Sequence, residues 1–515
     1  MAITVSSLTK VLVLLFFAFG VDVTLSARLL VLPQYGIGAE ENSLLVVADS
    51  LARHGHDITV LLPSCDQKPR GGRYKVKTIG VQMTPTELES TKDFLVKRVL
   101  HSPSFASLKK LSDNKAKVCQ QMFDNPSDLN DLRGMRKFDL AILDTASTCG
   151  LLFATYFEVP FVGFALTTAE ANQWHGPVPT SYVPQSGSRL SDQMKFSERL
   201  HNSVEYLVSD SIRDSVEYSS YRSLQIEKDL SPHLTFQNIQ SQAKLILWNS
   251  DFAIDFPRPL MPHVIPIGGV TAGPGKPLPK ELNDFVEGSG ELGVVVFSHL
   301  KDVGPALGET IASALAKLPQ KVVWRYSGDM PSTLGKNTKV MAWLPQNDIL
   351  ANKKTRLLVT HCGPSSVQEG VYHGVPMLCL PFLDEHFDNA VKVKARGIGD
   401  YLDIREMTSE SLHQKMTDII TDERYRGESL KLSSIRKHKP LNATDTAVYW
   451  VNHALKHGTD HLISQVPNLR WYQYYLLDVI AFLLAILALA VYIVKKSLAF
   501  VCRKCRKKGV KAKLA

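Results

Sequence analysis

Two α/β domains, each a doubly wound parallel sheet, followed by one membrane-spanning helix, form the architecture that this sequence predicts. Three observations carry it. Short apolar runs of the kind buried on both faces of a parallel sheet recur along the chain, with helical stretches between them. The alternation pauses over residues 271–290, where the composition turns to Pro, Gly and Lys. After the second block an apolar segment runs from Tyr474 to Val494, about the length a bilayer requires.

In chain order, residues 1–26 place Lys10 before an apolar core from Val11 to Gly20 and end in small residues, the plan of a cleaved secretory signal. The run Ala27 to Pro33 is a strand, the loop QYGIGAEE follows, and an amphipathic helix closes at Gly55 before the next strand, Ile58 to Ser64. That succession is a βαβ unit. Its Gly-Ile-Gly lacks the third glycine of a dinucleotide fingerprint. Phe138 to Asp144 is a buried strand ending in an acid, and Phe161 to Thr167 is another. Lys244 to Val270 adds a strand and a proline-rich exit, which closes an N-terminal domain over 27–270 and opens a linker over 271–290. The second domain, 291–440, restarts with the strand Val294 to Ser298, a helix through Pro305–Leu318 and a strand at Lys321–Tyr326. Helical sequence continues to about Gly458, so residues 441–473 are crossing helices and a juxtamembrane segment, 474–494 the span and 495–515 a basic tail.

The formal charge of +9 is located in that tail, where nine Lys and Arg residues follow Val494 with no acid among them. The body is neutral, which argues against a nucleic-acid partner and for a membrane flank. Trp471, Tyr472, Tyr474 and Tyr475 crowd the other end of the span, so the body is expected on the lumenal side and the tail in the cytosol, a single-pass type I arrangement. Seven scattered cysteines, an odd and sparse set, do not suggest a disulfide framework, and Cys502 and Cys505 in the basic run suit S-acylation better than a metal. Asn442-Ala-Thr444 is an N-glycosylation sequon.

The stretch Trp343 to Asn389 concentrates the chemistry. His361 follows the buried run Leu357 to Thr360, at the carboxyl end of a strand, where open α/β sheets bind ligands. Gly363 allows a tight turn, and Pro364-Ser365-Ser366 opens a helix whose first N–H groups make an anion site. The next buried run, Met377 to Phe382, delivers Asp384, Glu385 and His386 to the same crevice. A phosphate-bearing ligand is the physical expectation.

These residues read W-x-P-Q-x-D, T-H-x-G, S-x-x-E-x-x-x-x-G-V-P and P-x-x-x-[DE]-x-x-D-N. Together they resemble the signature of the membrane-bound animal UDP-glycosyltransferases, the branch holding the UDP-glucuronosyltransferases and ceramide galactosyltransferase. The resemblance implies the GT-B plan of two Rossmann-like domains, with a UDP-sugar as co-substrate, no further cofactor and no metal. It implies inverting transfer of a glucuronosyl, glucosyl or galactosyl group to a small lipophilic acceptor. By the same resemblance Trp343 stacks on uracil, Gln346 contacts the nucleoside and Glu369 accepts from the ribose hydroxyls. His361, Gly363, Ser365 and Ser366 hold the diphosphate, Ser298 and Arg325 point toward the donor, and Glu385 and His386 face the sugar. Lys511 and Lys513 resemble a variant of the dilysine retrieval signal, which implies the endoplasmic reticulum membrane. One departure matters. The family's catalytic histidine lies sixteen residues before the position of His56, and that position holds Glu40, while its acid partner is present as Asp144. Either Glu40 and Asp144 form a carboxylate pair in which one acts as base, or Glu40 is a solvated loop acid. A catalytically impaired member that binds UDP-sugar or lipophile and modulates a partner, by homo- or hetero-oligomerisation, is therefore the alternative to an enzyme. Two lesser departures are His299-Leu300-Lys301 after Ser298, and Cys362 in place of glycine, the latter tolerable if its backbone is not in a glycine-only conformation.

Overall fold

A computed structural model describes residues 26–34, 38–66, 71–83, 105–134, 137–166, 176–298, 300 and 304–511; the signal segment and the end of the tail lie outside them. Two contact units divide the chain at Ile463 and Ser464. The first holds two wholly parallel sheets. Strands β1 (Arg28–Leu32), β2 (Asp57–Pro63), β3 (Lys75–Ile79), β4 (Leu140–Asp144), β5 (Phe161–Ala165), β6 (Ile246–Trp248) and β7 (Val264–Pro266) make a seven-stranded sheet in the order β3-β2-β1-β4-β5-β6-β7. Strands β8 (Val294–Phe297), β9 (Lys321–Arg325), β10 (Thr338–Met341), β11 (Thr355–Thr360), β12 (Met377–Cys379) and β13 (Gly399–Tyr401) make a six-stranded sheet in the order β10-β9-β8-β11-β12-β13.

The central strands β4, β5 and β8 are buried at every position, as helices on both faces require of their apolar sequences. The edge strand β3 alternates Lys75, Val76, Lys77 and is mostly exposed, which blunts an edge that could otherwise pair with another chain. Each sheet reverses its winding once, between β1 and β4 in the first and between β8 and β11 in the second. Those switch points open the crevices in which doubly wound sheets take ligands.

The helices that matter for the site are α1 (Gly38–Arg53), α2 (Gln346–Leu350), α3 (Pro364–His373), α4 (Asp384–Ala395), α5 (Glu423–Lys437), α6 (Ala443–His457) and, in the second unit, α7 (Leu477–Lys511). Leu44, Val47, Ala48 and Leu51 form one buried stripe of α1 at helical spacing. After α5 the chain returns to the first domain, and α6 buries Ala447, Val448 and Val451 in the same core as α1. Residues 280–287 of the expected linker form a helix whose Leu282 and Val286 enter the core of the second domain, and the Gly273 and Lys276 N–H groups before it bond to Asn347 and Asp348.

The cysteine expectation is corrected. Cys119 pairs with Cys149 and Cys362 with Cys379 as disulfides, at Cα separations of 5.8 and 5.3 Å. Both pairs join cysteines far apart in sequence, and the second links the turn after β11 to the neighbouring strand β12, an adjacency that only the sheet order reveals. In the second unit, α7 carries an apolar stretch from Leu477 to Arg503 that is long enough to cross a membrane, a little beyond the expected 474–494.

The two sheet domains meet through buried polar contacts. Lys392 of α4 pairs with Asp255 at 2.5 Å, both nearly inaccessible, and Arg396 donates to the carbonyls of Phe252, Ile254 and Asp255. Gln368 of α3 donates to Ser250 Oγ at 2.8 Å and accepts from Arg436 of α5. Burial alone would raise the Asp251 carboxyl, but Arg436 and Lys439 outweigh it and hold it below the usual carboxylate range. Breaking a buried ion pair costs more than the pair contributes, because the surviving charge is stranded. Lys392→Met should therefore destabilise the protein by about 3 kcal/mol in a denaturant titration, and adding Asp255→Asn should recover over half of that. A loss below about 1 kcal/mol would mean that Asp255 is balanced by another group.

Candidate active site

The site is built outward from the turn that follows β11. His361 leaves the strand, Cys362 takes φ +66°, and Gly363 precedes Pro364 at the first position of α3. A Cβ on Gly363 would lie 2.5 Å from His361 Nε2, so only glycine permits the imidazole to fold over the turn. The condition attached to Cys362 is not met: its backbone is left-handed, a conformation costing a non-glycine residue roughly 1–2 kcal/mol. Asn389 holds it there by donating to the Cys362 carbonyl at 3.0 Å, as does the link to Cys379. Gly363 offers no side-chain cap, which leaves the first-turn N–H groups of α3 directed toward an acceptor from elsewhere, and the helix dipole favours an anion.

One turn further along α3, Gln346 at the start of α2 donates its Nε2 to Glu369 Oε2 at 2.8 Å and to Ser366 Oγ at 3.1 Å. Burial pushes the Glu369 carboxyl up to about 7, against the lowering effect of the Gln346 bond. Trp343, three residues before Gln346, is 64% exposed, so its ring is open to a stacking partner. Arg325, at the end of β9, donates Nε to the Ala342 carbonyl at 3.3 Å beside that tryptophan. Ser298 is buried at the end of β8, across the switch point from His361, and its backbone bonds to Val359; His299 and Lys301 lie outside the described residues.

Glu385 and His386 occupy the first turn of α4. His386 is buried, with its ring 4.6 Å from those of His361 and Phe382, and its Nδ1 receives the Leu383 N–H at 3.4 Å. Its Nε2 is 3.4 Å from Glu385 Oε1. The imidazole thus braces His361 and caps its own helix, with Glu385 the more accessible of the two.

Sequence reasoning assigned no role to the next residues of the same motif. Asp388 accepts from the Gly187 and Arg189 N–H groups, at 2.7 and 3.1 Å, clamping a loop of the first domain onto α4. Arg189 also reaches Asp384 at 2.8 Å and lies 3.9 Å over the Phe387 ring. The signal was available as the Asp388-Asn389 pair that closes the motif.

Across the crevice, Asp144 ends β4 at the first domain's switch point and is wholly inaccessible. Its Oδ1 accepts from the Ala146 N–H at 2.9 Å, Oδ2 has no hydrogen-bond partner, and burial raises the carboxyl to about 6. Glu40 stands in the first turn of α1, and its side chain lies outside the described residues. Three residues on, Ser43 Oγ is 3.5 Å from Ser365 Oγ, so the opening turns of α1 and α3 meet across the domain boundary. Asn442 is exposed at the N-cap of α6, where its Oδ1 accepts from the Asp445 N–H at 2.8 Å.

Two doubly wound domains, with an uncapped helix N-terminus at one switch point and a buried carboxylate at the other, match the GT-B plan. Residues 27–512 match the family model described as UDP-glucoronosyl and UDP-glucosyl transferase. UDP-glucuronosyltransferase 1A1 of Mus musculus is 37% identical over 510 residues, 96% of this chain and 94% of its own length. UDP-glucuronosyltransferase 2B15 of Homo sapiens is 35% identical over 499 residues, covering 92% and 93%. Among solved structures, a UDP-glucosyltransferase from Polygonum tinctorium superposes with a TM-score of 0.59 at 15% identity, over 84% of this chain and 99% of that one, and supports the fold alone. The chain belongs to the UDP-glycosyltransferase family and is a transferase.

If the Glu369 carboxyl accepts from ribose hydroxyls, as the resemblance implies, ligand binding is linked to its ionisation. Because its value is raised, the accepting carboxylate is scarce below pH 7 and prevails above it. UDP affinity should rise about tenfold from pH 6 to pH 8 beyond the contribution of UDP's own phosphate. Glu369→Gln should bind weakly with that extra dependence gone, as isothermal titration would show; an unchanged pH profile would remove Glu369 from the nucleoside site.

Proposed function

We propose that this chain transfers a hexosyl group from a UDP-sugar to a small lipophilic hydroxyl acceptor by single displacement with inversion. The observation that carries the reading is the Gln346–Ser366–Glu369 network beside the His361–Gly363 turn. In this reading Trp343 stacks on uracil, Glu369 and Gln346 take the ribose and base, and Arg325 and Ser298 border the donor. The first turn of α3, with His361, Ser365 and Ser366, offsets the charge that builds on the departing diphosphate. The acceptor oxygen attacks the anomeric carbon, its proton passes to a carboxylate, and the bond to UDP breaks.

Asp144 suits the buried member of a carboxylate pair: it sits at the opposite switch point, wholly inaccessible, with burial raising its carboxyl to about 6, so it takes up the acceptor's proton through a partner rather than by touching the acceptor. Glu40 is its proposed partner, a reading supported by the contact of Ser43, three residues further along α1, with Ser365 of α3. Glu385 faces the sugar. The loop has no arginine of its own, and Arg189 reaches it from the first domain, which leaves a glucuronate carboxylate as admissible as a neutral hexose. We place the body in the lumen of the endoplasmic reticulum on the single anchor α7, with Asn442 available for glycosylation; the two cysteine pairs agree with an oxidising compartment.

The test is UDP release with phenols, amines, sterols and ceramide against UDP-glucuronate, UDP-glucose and UDP-galactose. Turnover with at least one pair is expected, with kcat/KM rising from pH 5 and levelling above pH 7. Asp144→Asn should lower kcat at least a hundredfold while UDP affinity stays within about twofold. UDP binding without turnover for any pair would favour the non-catalytic, partner-modulating reading. Unchanged rates in both Asp144→Asn and Glu40→Gln would exclude a carboxylate base.

A further inference from the structure

A histidine cluster at the end of α6 is untouched by the transfer chemistry. His453 and His457 stand four residues apart, on one face of α6. Gly458 then takes φ +69° and turns the chain, Thr459 is buried, and a short helix over Asp460–Leu462 runs back alongside. The return is held by the Leu462 N–H bond to the Thr459 carbonyl, at 2.9 Å, and by Leu462 packing against the core that α6 covers. His461 is thereby brought to His453, with the two Nε2 atoms 3.3 Å apart. The His453 ring lies 5.2 Å from that of His457 and 5.3 Å from that of His461, and Trp450 packs against it at 5.2 Å.

Two imidazoles bound through Nε2 to one tetrahedral zinc, at about 2.0–2.1 Å each, stand roughly 3.3–3.4 Å apart. The His453–His461 spacing, here a hydrogen bond between the two rings, equals that bite. Among the described residues no three His, Cys, Asp or Glu side chains already converge as a metal site. His457 is exposed one helical turn from His453, its ring 5.2 Å away, and would have to rotate to supply a third nitrogen. We propose that His453, His457 and His461 bind a divalent transition ion of the zinc class, with water in the fourth position. Three nitrogen donors select zinc over magnesium or calcium, which take oxygen ligands. The ion is a staple: it fastens the segment that leads on to the anchor onto α6, and α6 packs on α1, the helix that carries Glu40.

The experiment is titration of zinc chloride into the chelator-treated full-length chain in detergent, followed by calorimetry and thermal melting. One ion per chain with a micromolar Kd is expected, and zinc at a hundredfold excess over Kd should raise Tm by several degrees. His461→Asn, a surface change, should weaken zinc at least tenfold and leave the metal-free Tm unmoved. His453→Asn and His457→Asn should do the same. The doubly substituted His361→Ala, His386→Ala chain, which alters a close histidine pair elsewhere in the fold, should retain zinc affinity. Absence of zinc binding, full affinity in His461→Asn, or loss of binding in the His361/His386 variant instead would overturn the proposal.

Discussion

The turn between β11 and α3 is the constraint from which the rest of the donor half follows. Backbone N–H groups without internal partners favour an anion, and the first turn of a helix supplies them. Proline at the first helical position and an uncapping glycine before it leave those groups available. The closeness of His361 to the Gly363 Cα then places a ring donor beside them. The left-handed Cys362 is the cost of so sharp a turn, and Asn389 and Cys379 hold it from two sides.

A donor cradle alone transfers nothing, and the seam between the domains does the second half of the work. Its contacts are charged: Lys392 with Asp255 and Arg436 with Asp251, both buried, and Asp388 with the partly exposed loop at Gly187 and Arg189. Such contacts demand geometry in a way that apolar packing does not, so they fix register between the two sheets. Gln368 and Glu369 are neighbours on α3, one turned to the seam and the other to Gln346. Distortion of the seam would therefore reach the Gln346–Glu369 bond, the proposed nucleoside site, within one residue.

Much of this was legible in the sequence, because parallel strands buried on both faces leave continuous apolar runs. Val294 to Ser298, Leu357 to Thr360 and Phe138 to Asp144 were all readable as strands, and their order placed His361 and Asp144 at strand ends. What escaped depends on proximity between distant segments. The pairs Cys119–Cys149 and Cys362–Cys379 arise from chain adjacency that an odd cysteine count obscures. The helix at Lys280–Glu287 was masked by surrounding Pro, Gly and Lys, though Leu282 and Val286 carry its spacing. His386 is expected to face the sugar from its place in the motif, and its packing against His361 is an added feature that depends on the fold.

The central claim is that UDP lies across the α3 turn with its nucleoside on Trp343 and Glu369. Amide hydrogen exchange of the full-length chain with and without saturating UDP measures this directly. Slowed exchange confined to about residues 343–346 and 361–370, with the β1–β3 edge unaffected, is the predicted result. Protection that spares residues 361–370 and falls elsewhere would contradict it.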